Sequence, residues 1–121
     1  MKTILIADDD AYVTRVLRLA LENHGFSVVL ASTGIQALEK IRNSVPDCLV
    51  TDINMPGMSG RELVEKIDEE FKVRKFPILI VSSLVSRDLK EWVEGRVGVV
   101  FMEKPVSPKS LVSLVESALS S

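Results

Sequence analysis

Three acids, one hydroxyl and one lysine stand where short apolar runs of this sequence end. They are Asp8, Asp9, Asp52, Ser82 and Lys104. If the acids meet, each ionised pair at about 5 Å costs roughly 3 kcal/mol at an effective dielectric of about 20. Such a cluster requires a bound cation, a raised pKa or a neighbouring ammonium group. A hard cation held by carboxylates, a backbone carbonyl and water suits Mg²⁺.

These side chain types also suit one kind of reaction. Partly hydrated Mg²⁺ beside a carboxylate, with a hydroxyl and a lysine nearby, has the parts needed for phosphoryl transfer. That reaction depends mostly on positioning and on charge neutralisation. An aspartate can serve as the nucleophile and become an aspartyl phosphate. The residues therefore predict phosphoryl chemistry, provided that the fold brings them together.

The elements that must position these residues follow a regular alternation of apolar runs and helical spacing. The expected strands are 3–7, 27–31, 48–51, 78–81 and 97–102, and the expected helices cover roughly 11–23, 34–42, 61–71, 86–95 and 108–118. The runs are apolar throughout, which is typical of strands buried on both faces of a parallel sheet covered by helices. We therefore expect an α/β fold, a three-layer doubly wound sandwich of five β-α units with a five-stranded parallel sheet, forming a single domain over 1–121.

Strand order decides whether the polar side chains can meet. In the doubly wound order 2-1-3-4-5, strands one, three, four and five are contiguous and strand two lies at the edge. Asp8 and Asp9, Asp52, Ser82 and Lys104 come from the contiguous strands, whereas strand two ends in Ala31-Ser32 and carries no charge. This order predicts that these side chains converge at the carboxyl ends of strands one and three, the switch point of the sheet.

Several residues are expected to start or end helices. Ser59 and Ser107 are predicted N-caps, with Pro108 suited to the first helical position. Asp10 is interpreted as a cap rather than a ligand, because acids favour helix N-termini. Gly25 is expected just after the end of the first helix.

Composition and charge exclude several classes of protein. A net charge of −2 and a pI near 5.4, with no basic cluster, give no indication of nucleic-acid binding. No apolar run approaches the ~20 residues needed to span a bilayer, and no signal peptide precedes the first strand. The only cysteine, Cys48, excludes an internal disulfide and is expected in the core. We therefore expect a cytoplasmic protein without membrane spans.

The combined motifs resemble the receiver domains of two-component response regulators, which are CheY-like. The matching segments are IADDD at 6–10, DINMPGMSG at 52–60, Ser82, and Lys104-Pro105. Their order and spacing agree over essentially the whole chain. The resemblance implies the flavodoxin-like receiver fold and its strand order 2-1-3-4-5.

The resemblance also implies roles for the acids and for the loop after them. Asp52 would accept a phosphoryl group from a phosphohistidine on a sensor histidine kinase or phosphotransfer protein. Asp9 and Asp52 would bind Mg²⁺ directly, together with the backbone carbonyl of Asn54. Asp8 would act mainly through water. A receiver of this kind catalyses only its own phosphorylation and dephosphorylation and is not a conventional enzyme.

Further expectations concern the response to phosphorylation. Ser82 and Lys104 would contact phosphoryl oxygens, and Lys104-Pro105 would be a cis peptide bond. Phe101 occupies the aromatic switch position of the family, but its ring carries no hydroxyl, so packing would separate its inward and outward states. The surface of helix 4, strand 5 and helix 5 would then signal to an output domain or effector protein, or form a dimer. Apolar Leu84, near the path of the attacking water, predicts slow self-dephosphorylation.

Other interpretations remain open at this point. A phosphatase of the haloacid-dehalogenase type also places Asp, Ser and Lys at strand ends, but its motif requires a threonine that 8–12 lacks. A receiver-like module that is never phosphorylated is a third possibility. Trp92 could mark a partner surface or pack over the sheet edge. The chain ends after the fifth helix, so we expect it to act alone or to precede a C-terminal output domain.

Overall fold

Five parallel strands form one sheet in the computed structural model of the chain, which describes residues 1–83 and 85–120. The strands are β1 (Thr3–Ala7), β2 (Ser27–Ala31), β3 (Cys48–Thr51), β4 (Ile78–Ser82) and β5 (Val99–Glu103). Their order is β2-β1-β3-β4-β5, and every neighbouring pair is parallel. The predicted doubly wound architecture is therefore confirmed. Leu84, which the sequence placed near the water path, lies outside the described residues.

Five helices alternate with the strands and cover both faces of the sheet. They are α1 (Ala11–Asn23), α2 (Gly34–Asn43), α3 (Gly60–Glu70), α4 (Arg87–Glu94) and α5 (Pro108–Leu119). Apolar residues of α2, α3 and α4 pack in one core layer, and those of α1 and α5 pack in the other. None of these helices combines the length and the apolar character that crossing a bilayer would require.

Side chain alternation along the strands divides the core between the two layers. Leu5 and Leu49 point towards the layer of α2 to α4, whereas Ile4, Ile6 and Val50 point towards α1 and α5. In β1, β3 and β4 almost every side chain is buried. These three strands therefore have the doubly covered environment that their apolar sequences predict.

The expectation of burial on both faces is wrong for the edge strands. Most of β2 is only half-buried, and Val100 in β5 is 42% exposed. An edge strand has one neighbour, so flanking helices cover it incompletely. The predicted start of β5 at Val97 is also wrong, because Gly98 adopts φ +73° and the strand begins at Val99. A left-handed residue cannot continue an extended strand.

Helix ends follow the local signals in the sequence. The Asp10 carboxylate accepts hydrogen bonds from the backbone N–H groups of Tyr12 and Val13, which confirms it as the N-cap of α1. Ser59 forms a capping box with Glu62. The N-cap Ser107 precedes Pro108, and Gly25 has φ +88° after α1; both are as expected. The weaker helix α4 is one residue shorter at each end than its pattern predicts.

The buried thiol of Cys48 predicts alkaline sensitivity. Burial, with a smaller contribution from the Asp47 charge, raises the pKa of Cys48 from 9.0 to about 12. The unfolded chain therefore loses this proton at lower pH than the folded chain, so the stabilisation is complete below pH 9 and decreases as the pH rises towards 12. Between those values, the free energy of unfolding should fall by about 1.4 kcal/mol more per pH unit than in Cys48→Ala.

Urea unfolding of both proteins at pH 8 and pH 11 measures this difference. The two proteins differ only at residue 48, so the comparison isolates the thiol. Parallel losses of stability in the two proteins would contradict the assignment.

Candidate functional site

Three aspartates meet at the carboxyl edge of the sheet. Asp8 and Asp9 follow β1, and Asp52 follows β3. One carboxylate oxygen from each lies within 4.8 Å of the others. Asp8 is 6% exposed and Asp52 9% exposed, whereas Asp9 is open to solvent. Parallel pairing of β1 with β3 places these ends side by side, as the strand order predicts.

The ammonium group of Lys104 bridges the two buried acids. Its Nζ donates to Asp8 Oδ2 at 2.9 Å and to Asp52 Oδ2 at 3.1 Å. Burial by itself lowers the pKa of Lys104, but hydrogen bonds and charge from Asp8 and Asp52 outweigh this effect and raise the pKa above its ordinary value. Lys104 is therefore cationic and offsets part of the repulsion between the acids.

The backbone holds Lys104 in this position. Its N–H donates to the carbonyl oxygen of Ser82 at 2.9 Å, which ties the end of β5 to the end of β4. The peptide bond between Lys104 and Pro105 is cis, as the sequence predicts. Ser82 itself is fully buried at the end of β4. The strand ends that carry chemistry therefore adjoin one another.

Hydrogen bonds also orient each buried carboxylate. Asp52 Oδ1 accepts from the N–H of Ile53 at 2.7 Å, and Asp8 Oδ1 accepts from the N–H of Asp10 at 2.9 Å. The second oxygen of each acid faces Lys104. Since both oxygens of each acid are engaged, the carboxylate planes are held in fixed orientations.

Two glycines shape the loop after Asp52, a role that the motifs and spacing of the sequence did not indicate. A Cβ on Gly60 would lie 1.9 Å from the carbonyl oxygen of Asp52, and one on Gly34 would lie 2.6 Å from that of Met58. Gly60 also donates its N–H to Ile53 at 2.7 Å. Each glycine is the first residue of a helix, a position that other residues fill without the entropic cost of glycine. A glycine at the first position of a helix was therefore the available sequence signal that another backbone segment approaches closely there.

The remaining predicted site residues occupy the surroundings of the acids. Asn54 is exposed in the loop between β3 and α3. Phe101 is half-buried on β5 and packs against the core layer that contains Leu89 and Val93 of α4. Trp92 packs against the same layer rather than standing free as a partner surface. Two guanidinium groups, those of Arg61 and Arg96, also lie near its ring.

The acidic cluster could hold a metal ion. Asp8, Asp9 and Asp52 offer carboxylate oxygens close enough to share one ion. Oxygen donors of this kind suit hard divalent cations that retain several waters. The exposed carboxylate of Asp9 leaves the cluster open to solvent on one side. The donor set therefore fits Mg²⁺, with Lys104 at the inner side of the acids.

Comparison with known proteins points in the same direction as the geometry. Residues 4–116 match the family model of the response regulator receiver domain. The chain is 33% identical over 119 residues to the response regulator GtcR of Aneurinibacillus migulanus, covering 98% of this chain and 48% of that protein. It is 28% identical over 119 residues to Protein PilH of Pseudomonas aeruginosa, covering 98% of each. The chain thus spans about half the length of one curated relative and nearly all of the other.

A solved structure agrees over the whole fold. The CheY-like response regulator receiver domain protein from Methanospirillum hungatei JF-1 superimposes with a TM-score of 0.91 at 29% identity. The alignment covers 99% of this chain and 94% of that one. The similarity therefore extends over all five β-α units.

Proposed function

Because the chain belongs to the response regulator receiver domain family, we propose that it accepts a phosphoryl group on Asp52 from the phosphohistidine of a partner protein. The observation that carries this proposal is the placement of Asp52, a buried carboxylate with two acids within 4.8 Å and Lys104 Nζ at 3.1 Å. The donor would be a sensor histidine kinase or a phosphotransfer protein in the cytoplasm. The matched family is one of signalling domains, which gives no support to a haloacid-dehalogenase-type phosphatase.

The chain's own residues divide the work of transfer. A carboxylate oxygen of Asp52 attacks phosphorus, a P–O bond forms, the P–N bond breaks, and the histidine nitrogen takes the electron pair. Lys104, already hydrogen-bonded to Asp52, and the hydroxyl of Ser82 contact phosphoryl oxygens. Asp9, Asp52 and the backbone carbonyl of Asn54 would hold Mg²⁺ directly, and Asp8 through water. When bound, the ion supplies neutralisation of the phosphoryl charge.

Phosphorylation then changes the surface formed by α4, β5 and α5. Ser82 moves towards the phosphoryl group, which frees space for Phe101. Phe101 packs against the core layer of α4, so an inward shift of its ring changes the support of that helix. Without a hydroxyl, the ring is held in each state by packing alone. This surface signals to an output domain or effector protein, or joins two copies of the chain.

Incubation with a small-molecule phosphodonor and Mg²⁺ tests the proposed function. Phosphorylated protein should migrate more slowly in a gel that retains phosphoproteins. Chelation of Mg²⁺ before the donor is added should remove the shift. An unshifted band at saturating donor and Mg²⁺ would contradict phosphorylation, and steady turnover of an aryl phosphate would favour a phosphatase.

Substitution of Asp9 by asparagine should weaken Mg²⁺ binding. Loss of a residue that only hydrogen-bonds to a metal ligand costs about tenfold or more in metal affinity. Loss of a direct carboxylate ligand should lower the affinity for Mg²⁺ by at least as much. Asp9 is exposed, so the core is not disturbed. The measurement is the Mg²⁺ concentration that gives half of the rise in melting temperature.

Asp10→Asn provides the matched control for this change. It removes the adjacent charge, and asparagine caps helices about as well as aspartate. Equal Mg²⁺ requirements in the two variants would show that Asp9 is not a ligand.

A further inference from the structure

A network of side chains connects α3 with α4 and with the turn that follows α4. The guanidinium groups of Arg61 and Arg96 lie 5.2 and 4.8 Å from the centroid of the Trp92 ring. Arg61 pairs with Asp88 at 2.8 Å, and Arg96 pairs with Asp68 at 2.8 Å. We call these five residues the α3–α4 brace. It joins α3 to α4 through Arg61, which contacts Asp88 and Trp92, and joins α3 to the turn after α4 through Asp68 and Arg96.

The brace holds a helix that has little apolar anchoring of its own. Only Leu89 and Val93 of α4 are buried, and the helix has eight residues. Cation–π contacts and partly buried ion pairs can therefore contribute a large share of what fixes its position. Asp88 is 79% exposed, so its ion pair with Arg61 is weak. The less exposed ion pair between Arg96 and Asp68 therefore stabilises the position of α4 more strongly.

Arg74 reinforces the Arg96 end of the brace. It donates to the other carboxylate oxygen of Asp68 at 2.9 Å and to the carbonyl oxygens of Phe76 and Val97 at 2.7 and 2.6 Å. Asp68 is thus shared between two guanidinium groups. The turn between α4 and β5 is thereby tied to α3.

The brace also starts beside Asp52. Gly60 sits against the carbonyl oxygen of Asp52 so closely that a Cβ would overlap it, and its N–H donates to Ile53 at 2.7 Å. Arg61 is the next residue along the chain. Arg61 therefore connects the backbone beside the Asp52 loop to the Trp92 ring, whose centroid lies 5.2 Å from its guanidinium group.

One polar group in the brace is unsatisfied in this arrangement. The Nε1 of Trp92 is buried and donates to no acceptor among the residues that the structure describes. Burying a donor without a partner is unfavourable, so a shift of α4 that gave this group an acceptor would recover free energy.

We propose that the α3–α4 brace holds α4 in its unphosphorylated position and couples it to the state of the Asp52 loop through Arg61. This inference rests on the proposed function. Phosphorylation favours a position of α4 that the brace disfavours. Weakening the brace therefore shifts the unphosphorylated protein towards its activated arrangement. By linkage, it also raises the affinity for a phosphoryl mimic.

Three arginine-to-methionine variants test the proposal. Arg96→Met and Arg61→Met keep the aliphatic stem but remove the charge over Trp92. Neither variant leaves a buried acid without a partner. In Arg96→Met, Asp68 keeps its pair with Arg74, and in Arg61→Met, Asp88 is exposed to solvent. Arg87→Met is the matched control, since Arg87 is on α4, is 93% exposed and pairs only with Glu91 one turn away among the described residues.

Amide hydrogen exchange of 87–94 in the unphosphorylated proteins is the first measurement. Arg96→Met should speed exchange about tenfold, Arg61→Met somewhat less, and Arg87→Met not at all. Unchanged exchange in Arg96→Met and Arg61→Met would overturn the proposal. This measurement does not depend on phosphorylation.

Binding of beryllium fluoride with Mg²⁺, followed by the fluorine NMR signals of the bound species, is the second measurement. The half-saturating concentration should fall in Arg96→Met and Arg61→Met by about the factor seen in exchange, and stay constant in Arg87→Met. Faster exchange with an unchanged half-saturating concentration would overturn the coupling. No bound signal in any protein, the unaltered chain included, would overturn the phosphoacceptor assignment and the coupling with it.

Discussion

Replacement of Asp52 by alanine is expected to abolish phosphorylation by a small-molecule donor. The carboxylate is the proposed nucleophile, and no neighbouring acid can take its place. In the proposed site Asp9 holds Mg²⁺ directly and Asp8 holds it through water, so both neighbouring acids have other roles. Loss of an attacking group lowers a rate by about a thousandfold or more. The gel shift seen with the unaltered protein should therefore disappear.

Asp10→Asn is the control for this prediction as well. It removes an acid near the end of β1, at the same edge of the sheet, while preserving the cap of α1, and it should leave the gel shift intact. Circular dichroism of Asp52→Ala should show a folded protein, since alanine is tolerated at a strand end beside Lys104. A shift that persisted in Asp52→Ala would place the phosphoryl group on another residue.

The second large effect is expected for Gly60→Ala. The added Cβ would lie 1.9 Å from the carbonyl oxygen of Asp52. The backbone fixes the positions of both atoms, so no side chain rotation can relieve the overlap. Relief requires that α3 move away from the Asp52 loop, which breaks the 2.7 Å hydrogen bond from Gly60 to Ile53. Overpacking of this kind costs about 3 kcal/mol. Urea unfolding should record that loss, and phosphorylation should slow because the acceptor loop is displaced.

Gly95→Ala separates this contact from the general effect of replacing a glycine. Gly95 ends α4 at φ −77°, and a Cβ there would lie 3.6 Å from the nearest atom, which is ordinary contact. Alanine is expected to change stability by no more than about 0.5 kcal/mol, towards stabilisation, because it restricts the unfolded chain. If Gly60→Ala were as stable and as readily phosphorylated as Gly95→Ala, the glycine contact would not position Asp52.

The site concentrates negative charge before any ligand arrives. Asp8 and Asp52 are buried, and burial penalises their charged forms. Lys104 offsets this cost by donating to both acids, and backbone N–H groups of Asp10 and Ile53 add two further hydrogen bonds. Under the proposed function, the site is thus organised for an incoming cation and phosphoryl group, which lowers the reorganisation needed for transfer.

The sequence by itself was sufficient for the order of elements and for the edge at which the acids meet. Apolar runs and helical spacing identify the five β-α units, and Asp10, Ser59 and Ser107 mark helix starts through local hydrogen bonds. Since parallel strands all end at one edge, residues that follow them must adjoin once the strand order is known. The strand order came from the resemblance of the motifs to receiver domains rather than from periodicity.

Tertiary structure alone decided the contacts that depend on distances between separate elements. Local patterns did not reveal that Lys104 bridges Asp8 and Asp52, or that Gly60 lies against the carbonyl oxygen of Asp52. The same is true of the contacts of the Trp92 ring with the guanidinium groups of Arg61 and Arg96, since Arg61 and Trp92 lie on different helices. Periodicity records which face of an element is apolar, whereas these contacts depend on how far the packed elements are shifted and rotated against each other. Packing of the whole core sets those shifts.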